Sequence, residues 1–301
     1  MTTEEFIMLY RQTGFCVEKV KEYHWLVTGQ VVYSFPTLRN VYPRREELLV
    51  CGKKYKKPVL FKTSFQEKNT AEYIFRGSDY SLEKFDSKIR NQIRKGLKSC
   101  DIRRPSLKEM INEGFRINRI VLSRHQREVA YLTDKEKWAH YVNVLLGDKD
   151  VHPVAAFQDG KMIAYMIVVK TENKYVIYHP FMDYNYSSSC PVNAMLFTLI
   201  NEVIRREGFI EISYGLESYR SMPGLERFKQ HMLFIPVPAT RMVYLPFIYR
   251  ILINSLTLLI LKKISGIKPF RQLYEKFLFM HEGFCLCKKY LATFSDGTMV
   301  A

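Results

Sequence analysis

The sequence predicts an α/β fold in which a mixed sheet is flanked by helices, and the clearest observations lie between residues 153 and 215. Two apolar runs, PVAAFQ and KMIAYMIVV, flank Asp159-Gly160, a dipeptide typical of a tight hairpin turn. After a third strand, YVIYH, the helical pattern VNAMLFTLINEVIRRE follows Pro191 and stops at Gly208, and FIEISYG reads as another strand. This order of strand, strand, strand, helix, strand predicts a mixed α/β layer.

The first hundred residues predict a further sheet. Four short runs rich in β-branched and aromatic residues are separated by turn residues: EYHWLVTG, QVVYSFP, KPVLFKTSF and TAEYIFRG. Asp86 or Ser87 is expected to cap a helix in the basic segment SKIRNQIRKGLKS. Capping boxes at 106–109 and 133–136 predict the starts of two more helices.

Charge and motif content limit the possible functions. The 301 residues carry 46 Lys and Arg against 30 Asp and Glu, a net charge of +16 that favours polyanions such as RNA, nucleotide phosphates or an anionic bilayer. Neither the six cysteines nor the seven histidines show metal-ligand spacing, so we expect no metal. A GxSxG elbow, a Walker A loop, a dinucleotide fingerprint and an HExxH pair are also missing from the sequence. MTTEEFIMLY lacks an apolar signal region, and we expect a cytoplasmic protein with reduced cysteines.

Residues 244–261, YLPFIYRILINSLTLLIL, form the most apolar segment. Pro246, Arg250 and Asn254 interrupt the run, and a spanning helix needs about 20 apolar residues, so we do not expect it to cross a membrane. Two interpretations remain. We favour a helix of the protein core, because buried helices show the same periodicity. The alternative is an interfacial helix on anionic lipid, since basic residues flank the segment.

Candidate site residues follow the ends of the predicted strands, where open α/β sheets bind ligands. Tyr178 and His179 end one strand, and Ser188 and Ser189 lie at the start of the following helix, whose free N–H groups attract phosphate or carboxylate. For each tyrosine taken singly we favour a packing role, and for His179 we favour a side chain that satisfies a backbone partner over a site residue.

A second group of candidates surrounds the next strand. Tyr214 and Glu217 end that strand, and Phe228 and Lys229 follow a short loop later. Lys229 is either an ordinary solvated side chain or a cation that meets substrate charge, and we favour the second interpretation. The basic helix that contains Arg90 and Arg94 could be a solvated face or a site for an anionic carrier.

The order of these elements, with QDGKMIAY at the hairpin and a helix ending REGF before FIEISYG, resembles the GNAT acyltransferase superfamily. The Fem-type branch, which includes the peptidoglycan-bridge aminoacyltransferases, is more similar still. SKIRNQIRKGLKS resembles its Arg-rich segment, and PGLERFKQHML resembles its closing Phe-Lys element. The similarity covers roughly residues 85–240. Met232 and Leu233 depart from the aromatic and glycine usual in the family, and SSSCPVN replaces the acetyl-CoA loop of ordinary GNAT enzymes.

This resemblance implies a degenerate GNAT-like half in residues 1–104 and a more complete GNAT half in 105–240. Residues 241–301 would supply the apolar helix and a closing strand that pack back on the body. The donor would be acyl-CoA or aminoacyl-tRNA. The acceptor would be an amine of a small molecule or a cell-envelope precursor.

The resemblance also implies roles for the candidates. Lys229 would place positive charge near the tetrahedral intermediate or a substrate phosphate, Glu217 would deprotonate the amine, and Tyr178 or Tyr214 would donate a proton to the leaving group. The predicted substrate-binding residues are Arg90, Arg94, His179, Ser188, Ser189 and Phe228. The alternative from another class is a non-catalytic GNAT-fold protein that docks at a membrane surface through residues 244–263.

Overall fold

The computed structural model describes residues 1–126, 129–172, 174–220 and 222–295. The chain forms two compact units. The first comprises residues 1–14, 73–215 and 224–236, and the second comprises 15–72, 216–223 and 237–301. The positions at which the chain passes from one unit to the other do not coincide with the predicted boundaries at 104 and 240. The division into two GNAT-like halves and a C-terminal segment stays a prediction. Residues 296–301 of that segment lie outside the described residues.

The strands of the described chain are β1 Cys16–Val20, β2 Tyr23–Val27, β3 Val32–Phe35, β4 Val59–Thr63, β5 Thr70–Gly77, β6 Asp101–Arg103, β7 Val151–Gln158, β8 Lys161–Lys170, β9 Tyr175–Met182, β10 Ile210–Leu216 and β11 Ile235–Tyr244. The helices are α1 Thr3–Gln12, α2 Arg45–Tyr55, α3 Ser87–Ser99, α4 Leu107–Glu109, α5 Phe115–His125, α6 Ala130–Thr133, α7 Lys135–Leu146, α8 Pro191–Glu207, α9 Pro223–His231, α10 Phe247–Leu252, α11 Ser255–Ile264 and α12 Lys268–Ser295. A 3-10 helix spans Tyr184–Ser189.

In the first unit the strands lie in the order β5-β10-β9-β8-β7-β6. Neighbours from β6 to β9 are antiparallel, whereas β9 and β10 are parallel because α8 connects them. The predicted hairpin joins β7 and β8, with Gln158 opposite Lys161. Asp159 and Gly160 both adopt positive φ, 51° and 76°, as the tight hairpin turn requires.

Helices cover both faces of this sheet. On one face Ile93 of α3 and Leu196 of α8 share a core with Ile212 of β10. On the other face the ring of Trp138 in α7 lies 5.9 Å from that of Tyr165 in β8. Because β8 is covered on both sides, its side chains are buried from residue 162 to residue 169. The predicted fold class, a mixed sheet flanked by helices, is confirmed.

Two of the three predicted helix starts have the expected caps. The Asp86 carboxylate accepts a hydrogen bond from the Ile89 N–H at 2.9 Å, and the capping box at residues 106–109 is present. The box predicted at 133–136 is wrong. Thr133 lies in α6, and Asp134 is the residue whose carboxylate caps α7.

The second unit contains a sheet in the order β1-β2-β3-β4-β11, in which only β3 and β4 are parallel among the described pairs. Trp25, Leu48 and Phe61 belong to its core. The predicted C-terminal segment, 241–301, begins within β11, which ends at Tyr244. The described elements that follow β11 are all helices.

The apolar segment 244–261 is not one helix. Asn254 accepts a hydrogen bond from the Thr257 N–H at 3.0 Å and so begins a new helix, α11, after α10. Leu258 and Leu261 are buried, but α10 has no buried residue and nine of the 18 residues are exposed, so the core interpretation holds for only part of the segment. Among the described residues, no helix combines the length and apolar character needed to cross a bilayer.

The contact between α3 and α8 leaves no room for a side chain at Gly96. A Cβ there would lie 2.6 Å from the Cys190 carbonyl oxygen and 2.8 Å from the Ala194 Cβ. We expect Gly96→Ala to lower the free energy of unfolding by about 1–3 kcal/mol because of overpacking, although alanine is the better helix former. Urea denaturation followed by circular dichroism measures the change.

The matched control is Gly224→Ala in α9, where no other atom lies within 4 Å of the added Cβ. That variant should be neutral or up to about 1 kcal/mol more stable. Equal effects of the two substitutions would contradict a close approach of α3 to α8.

Candidate functional site

β9 and β10 pair over a short stretch and then diverge. Tyr175 pairs with Ile212 and Val176 with Ser213, and the described residues show no parallel pair beyond these. His179 has φ 51° and Pro180 lacks an N–H group, so β9 cannot continue a regular ladder towards β10. β10 in turn reaches Gly215, whose φ is 88°. The parallel pairing therefore ends at Val176 and Ser213, before the carboxyl ends of the two strands.

The segment between β9 and α8 is anchored at both of its ends. The buried Asp183 donates its N–H to the Ile163 carbonyl at 2.8 Å, and its carboxylate accepts from Arg116 Nη1 at 2.7 Å. At the other end the Ser189 hydroxyl donates to Gln158 Oε1 at 2.7 Å. Ser189 is thus occupied within the fold, whereas Ser188 is exposed.

The start of α8 faces the basic helix α3. Cys190 caps α8 without a side-chain hydrogen bond, so the N–H groups of the first turn have no protein side chain as a cap. Gly96 of α3 approaches the Cys190 carbonyl, and Lys95 is close enough to oppose the rise in the Cys190 pKa that burial causes. Arg94 and Lys95 are exposed. Free N–H groups and nearby cations together form a candidate anion site.

Lys229 is not an ordinary solvated side chain. It is only 3% exposed on α9, and its Nζ lies 4.5 Å from the ring centre of Tyr73 and 5.1 Å from that of Tyr214. The aromatic faces favour the ammonium group in this buried position. Phe228 packs against the same tyrosine, with 6.4 Å between the rings of Phe228 and Tyr214. Burial raises the pKa of the Tyr214 hydroxyl, which therefore stays protonated at neutral pH.

Two carboxylates precede Lys229 along the chain. Glu226 lies one turn earlier on α9, so it shares a face of the helix with Lys229. Its Oε1 is buried and has no hydrogen-bond partner in the described part of the chain. Glu217 belongs to the second unit, where its N–H donates to Ala71 at 2.7 Å and its carbonyl accepts from Arg241 at 2.9 Å.

Tyr178 and His179 lie on the other face of β9. Ile177 points into the core beneath α8, so its neighbour Tyr178 points to the opposite side, where its ring lies 6.5 Å from Phe6 and 6.4 Å from Tyr10. The His179 Nε2 lies 2.9 Å from the Tyr141 hydroxyl, and burial lowers the His179 pKa to about 4. The strand predicted to end at His179 continues to Met182.

The two arginine candidates differ in their surroundings. Arg90 donates from Nη2 to the Phe85 carbonyl at 3.1 Å, and its Nε is buried without a hydrogen-bond partner among the described residues. Arg94 is exposed on the part of α3 that approaches α8. The structure thus brings Lys229, Tyr214 and Phe228 together and places Arg94 near the start of α8.

Sequence reasoning did not single out Tyr73, Glu226 or the Arg116–Asp183 ion pair. Tyr73 lies in TAEYIFRG, which by itself indicates only a strand. Arg116 and Asp183 are separated by 67 positions. Local sequence patterns carry no signal for such a pair. The spacing of three between Glu226 and Lys229 is a signal that could have been used.

Most of this unit matches one protein-family model. The model described as "Acetyltransferase (GNAT) domain" matches residues 83–230, slightly less than half of the chain. This stretch is similar to GNAT acetyltransferase domains, and it contains α3, parts of β9 and β10, the start of α8 and Lys229. No curated protein matched the sequence.

Solved structures show the same fold at low sequence identity. FemX has a TM-score of 0.54 and 11% identity, over 80% of this chain and 90% of that chain. The C-terminal domain of a putative lysylphosphatidylglycerol synthetase from Agrobacterium fabrum has a TM-score of 0.53 and 12% identity, over 79% and 89%. L-PGS from Bacillus licheniformis has a TM-score of 0.51 and 13% identity, over 81% and 92%. The predicted resemblance to the Fem-type GNAT fold is confirmed.

The described residues offer no group of three or more His, Cys, Asp or Glu side chains placed to hold a metal ion.

The half-buried His179 predicts a pH dependence of stability. Its pKa is about 4 in the folded chain and about 6.5 when unfolded, so below pH 6.5 the unfolded chain takes up a proton that the folded chain refuses. Stability should fall by about 2–3 kcal/mol as the pH drops towards 4. His179→Asn, which tolerates the positive φ and does not titrate, should flatten this decline in urea denaturation across the same pH range.

Tyr141→Phe is the matched control, because it removes the hydroxyl partner of His179 and keeps the titrating ring. The decline should persist in this variant. An unchanged pH profile in His179→Asn would show that other groups cause the acid sensitivity.

Proposed function

We propose that this protein transfers an acyl group from acyl-CoA to an amine. The observation that carries the proposal is the buried ammonium group of Lys229, held between Tyr73 and Tyr214 where β10 leaves β9. Acyl transfer to an amine passes through a tetrahedral oxyanion, and a fixed cation in a site of low polarity stabilises that charge strongly. The match to a GNAT domain supports the same reaction class.

The anion site between α3 and α8 supports a CoA donor. CoA carries a pyrophosphate, and a helix start beside two exposed cations, Arg94 and Lys95, has the chemistry to bind it. SSSCPVN replaces the usual acetyl-CoA loop in this chain. The two cations would therefore bind the pyrophosphate in place of that loop. Aminoacyl-tRNA is the second candidate donor. The net charge of +16 and the Fem-type fold support it.

The remaining chemistry requires a base and a hydrogen-bond donor. Glu226 is the carboxylate on the Lys229 face of α9, and its unpartnered oxygen makes it our candidate for amine deprotonation. The Tyr214 hydroxyl keeps its proton, so it would donate a hydrogen bond to the oxyanion or the leaving group. The roles predicted for Glu217 and Tyr178 stay predictions, and we favour Glu226 and Tyr214 in their place.

We propose that the acceptor is an amine on a cell-envelope precursor or on another small molecule. One of the similar structures is named a putative lysylphosphatidylglycerol synthetase, and this name motivates a search among envelope lipids and their precursors.

Replacing the buried cation tests the mechanism. We expect Lys229→Met to keep the fold, since methionine fills a similar volume without a charge, and to lower kcat/KM by about 10²–10³. The measurement is steady-state turnover with an acyl-CoA and an amine acceptor, alongside thermal unfolding. Lys108→Met, on an exposed side chain, is the control. Full turnover by a folded Lys229→Ala or Lys229→Met enzyme would remove Lys229 from the mechanism.

Ligand stabilisation tests the donor. At 100 times its Kd, an acyl-CoA should stabilise the protein by about 2.7 kcal/mol, seen as a higher Tm. Arg94→Gln with Lys95→Gln should reduce this shift, whereas Lys108→Gln with Lys135→Gln, two exposed lysines on other helices, should not. If charged tRNA binds with a steep salt dependence and CoA thioesters give no shift, the donor is aminoacyl-tRNA instead.

A further inference from the structure

The second unit exposes a concentration of apolar side chains. Among the described residues 19 large hydrophobic side chains are exposed, and 11 of them lie within 27 consecutive residues. We call this set the apolar surface: Phe247, Ile248, Ile251, Leu252, Leu256, Leu259, Ile260, Ile264, Ile267, Phe270 and Leu273. Single exposed apolar residues are ordinary on proteins, but such a concentration marks a contact surface.

Helix α11 has apolar residues both on its buried face and on its exposed face. In α11, Leu258 and Leu261 are buried in the unit, whereas Leu256, Leu259 and Ile260 share an outward face at the i, i+3, i+4 spacing of a helix. Leu256 is 67% exposed, and Phe247 in α10 is 74% exposed. The outward faces are therefore not the core sides of these helices.

The charges along the segment that carries the apolar surface are predominantly positive. The sequence contains no Asp or Glu between Glu226 and Glu275, and within residues 247–273 it contains five cations, Arg250, Lys262, Lys263, Lys268 and Arg271. All five are exposed, and Arg271 pairs with Glu275 at 3.2 Å. Apolar side chains next to an excess of cations are the composition of helices that lie in the headgroup region of an anionic membrane.

We propose that residues 247–273 dock this protein on an anionic phospholipid bilayer, with the apolar surface in the headgroup region and the cations against lipid phosphates. A helix lying in the plane of the interface fits, because no described helix is able to cross the membrane. A second copy of the chain is the competing occupant. A symmetric dimer through this face would bring two sets of cations together, and Glu275, the first carboxylate after Glu226 in the sequence, already pairs with Arg220 and Arg271.

Co-sedimentation of the full chain with vesicles tests this docking. We expect binding to vesicles of phosphatidylcholine with phosphatidylglycerol, weak binding to phosphatidylcholine alone, and a loss of binding as salt is raised. Leu256→Glu with Leu259→Glu should reduce the partition coefficient by about tenfold or more. Lys262→Gln with Lys263→Gln should also reduce it by about tenfold or more, for anionic vesicles only.

Two controls separate docking from loss of structure. Phe209→Glu changes an apolar side chain that is also 67% exposed but lies outside the apolar surface, and it should leave vesicle binding unchanged. Lys108→Gln with Lys135→Gln removes the same charge elsewhere and should weaken binding less. Thermal unfolding of each variant shows whether it folds, and the lysine pair keeps the test valid if the leucine pair fails to fold.

Three results would overturn the proposal: absence of binding to anionic vesicles, equal losses in the control and surface variants, or a dimer in lipid-free sedimentation velocity that Leu256→Glu with Leu259→Glu dissociates. The last result would assign the apolar surface to a second copy of the chain. Turnover with soluble substrates reports separately on the proposed acyl transfer, so the failure of one proposal does not imply failure of the other.

Discussion

The short parallel pairing of β9 with β10 is the constraint on which the candidate site depends. The paired positions end at Val176 and Ser213 while both strands continue, and His179 with its positive φ and Pro180 without an N–H do not resume the ladder. Tyr214 follows Ser213 in β10, and Lys229 lies over its ring. The segment between β9 and α8 is fixed by the carboxylate of Asp183 and the hydroxyl of Ser189.

The positive charge of the chain is placed in three different environments. Arg94 and Lys95 are exposed on α3 beside Gly96, which packs against the Cys190 carbonyl at the start of α8. Lys229 is buried between aromatic rings, where a single charge acts strongly because little water screens it. A third group of cations borders the apolar surface of the second unit. The net charge is therefore divided among three environments that composition alone does not separate.

Much of the fold follows from local sequence. The Asp159-Gly160 hairpin, the Asp86 cap and the helix that ends at Gly208 each depend on a turn or cap whose residues are neighbours in the chain. The apolar segment 244–261 shows the limit of such patterns. Periodicity indicates that a helix has an apolar face, but it does not tell whether protein covers that face, and here much of it is exposed.

The sequence by itself determined the order of strands and helices between residues 153 and 215, the resemblance to GNAT acyltransferases and the choice of Lys229 as a candidate, because these rest on local patterns and motif order. Only the tertiary structure decided which candidates share a site. Tyr178 and Tyr214 both follow strand ends in the sequence, yet they point to opposite faces of the sheet. Tyr73 and Lys229 are far apart in the chain and meet only because the strands and α9 pack against one core. Packing between distant segments leaves no pattern in a single sequence.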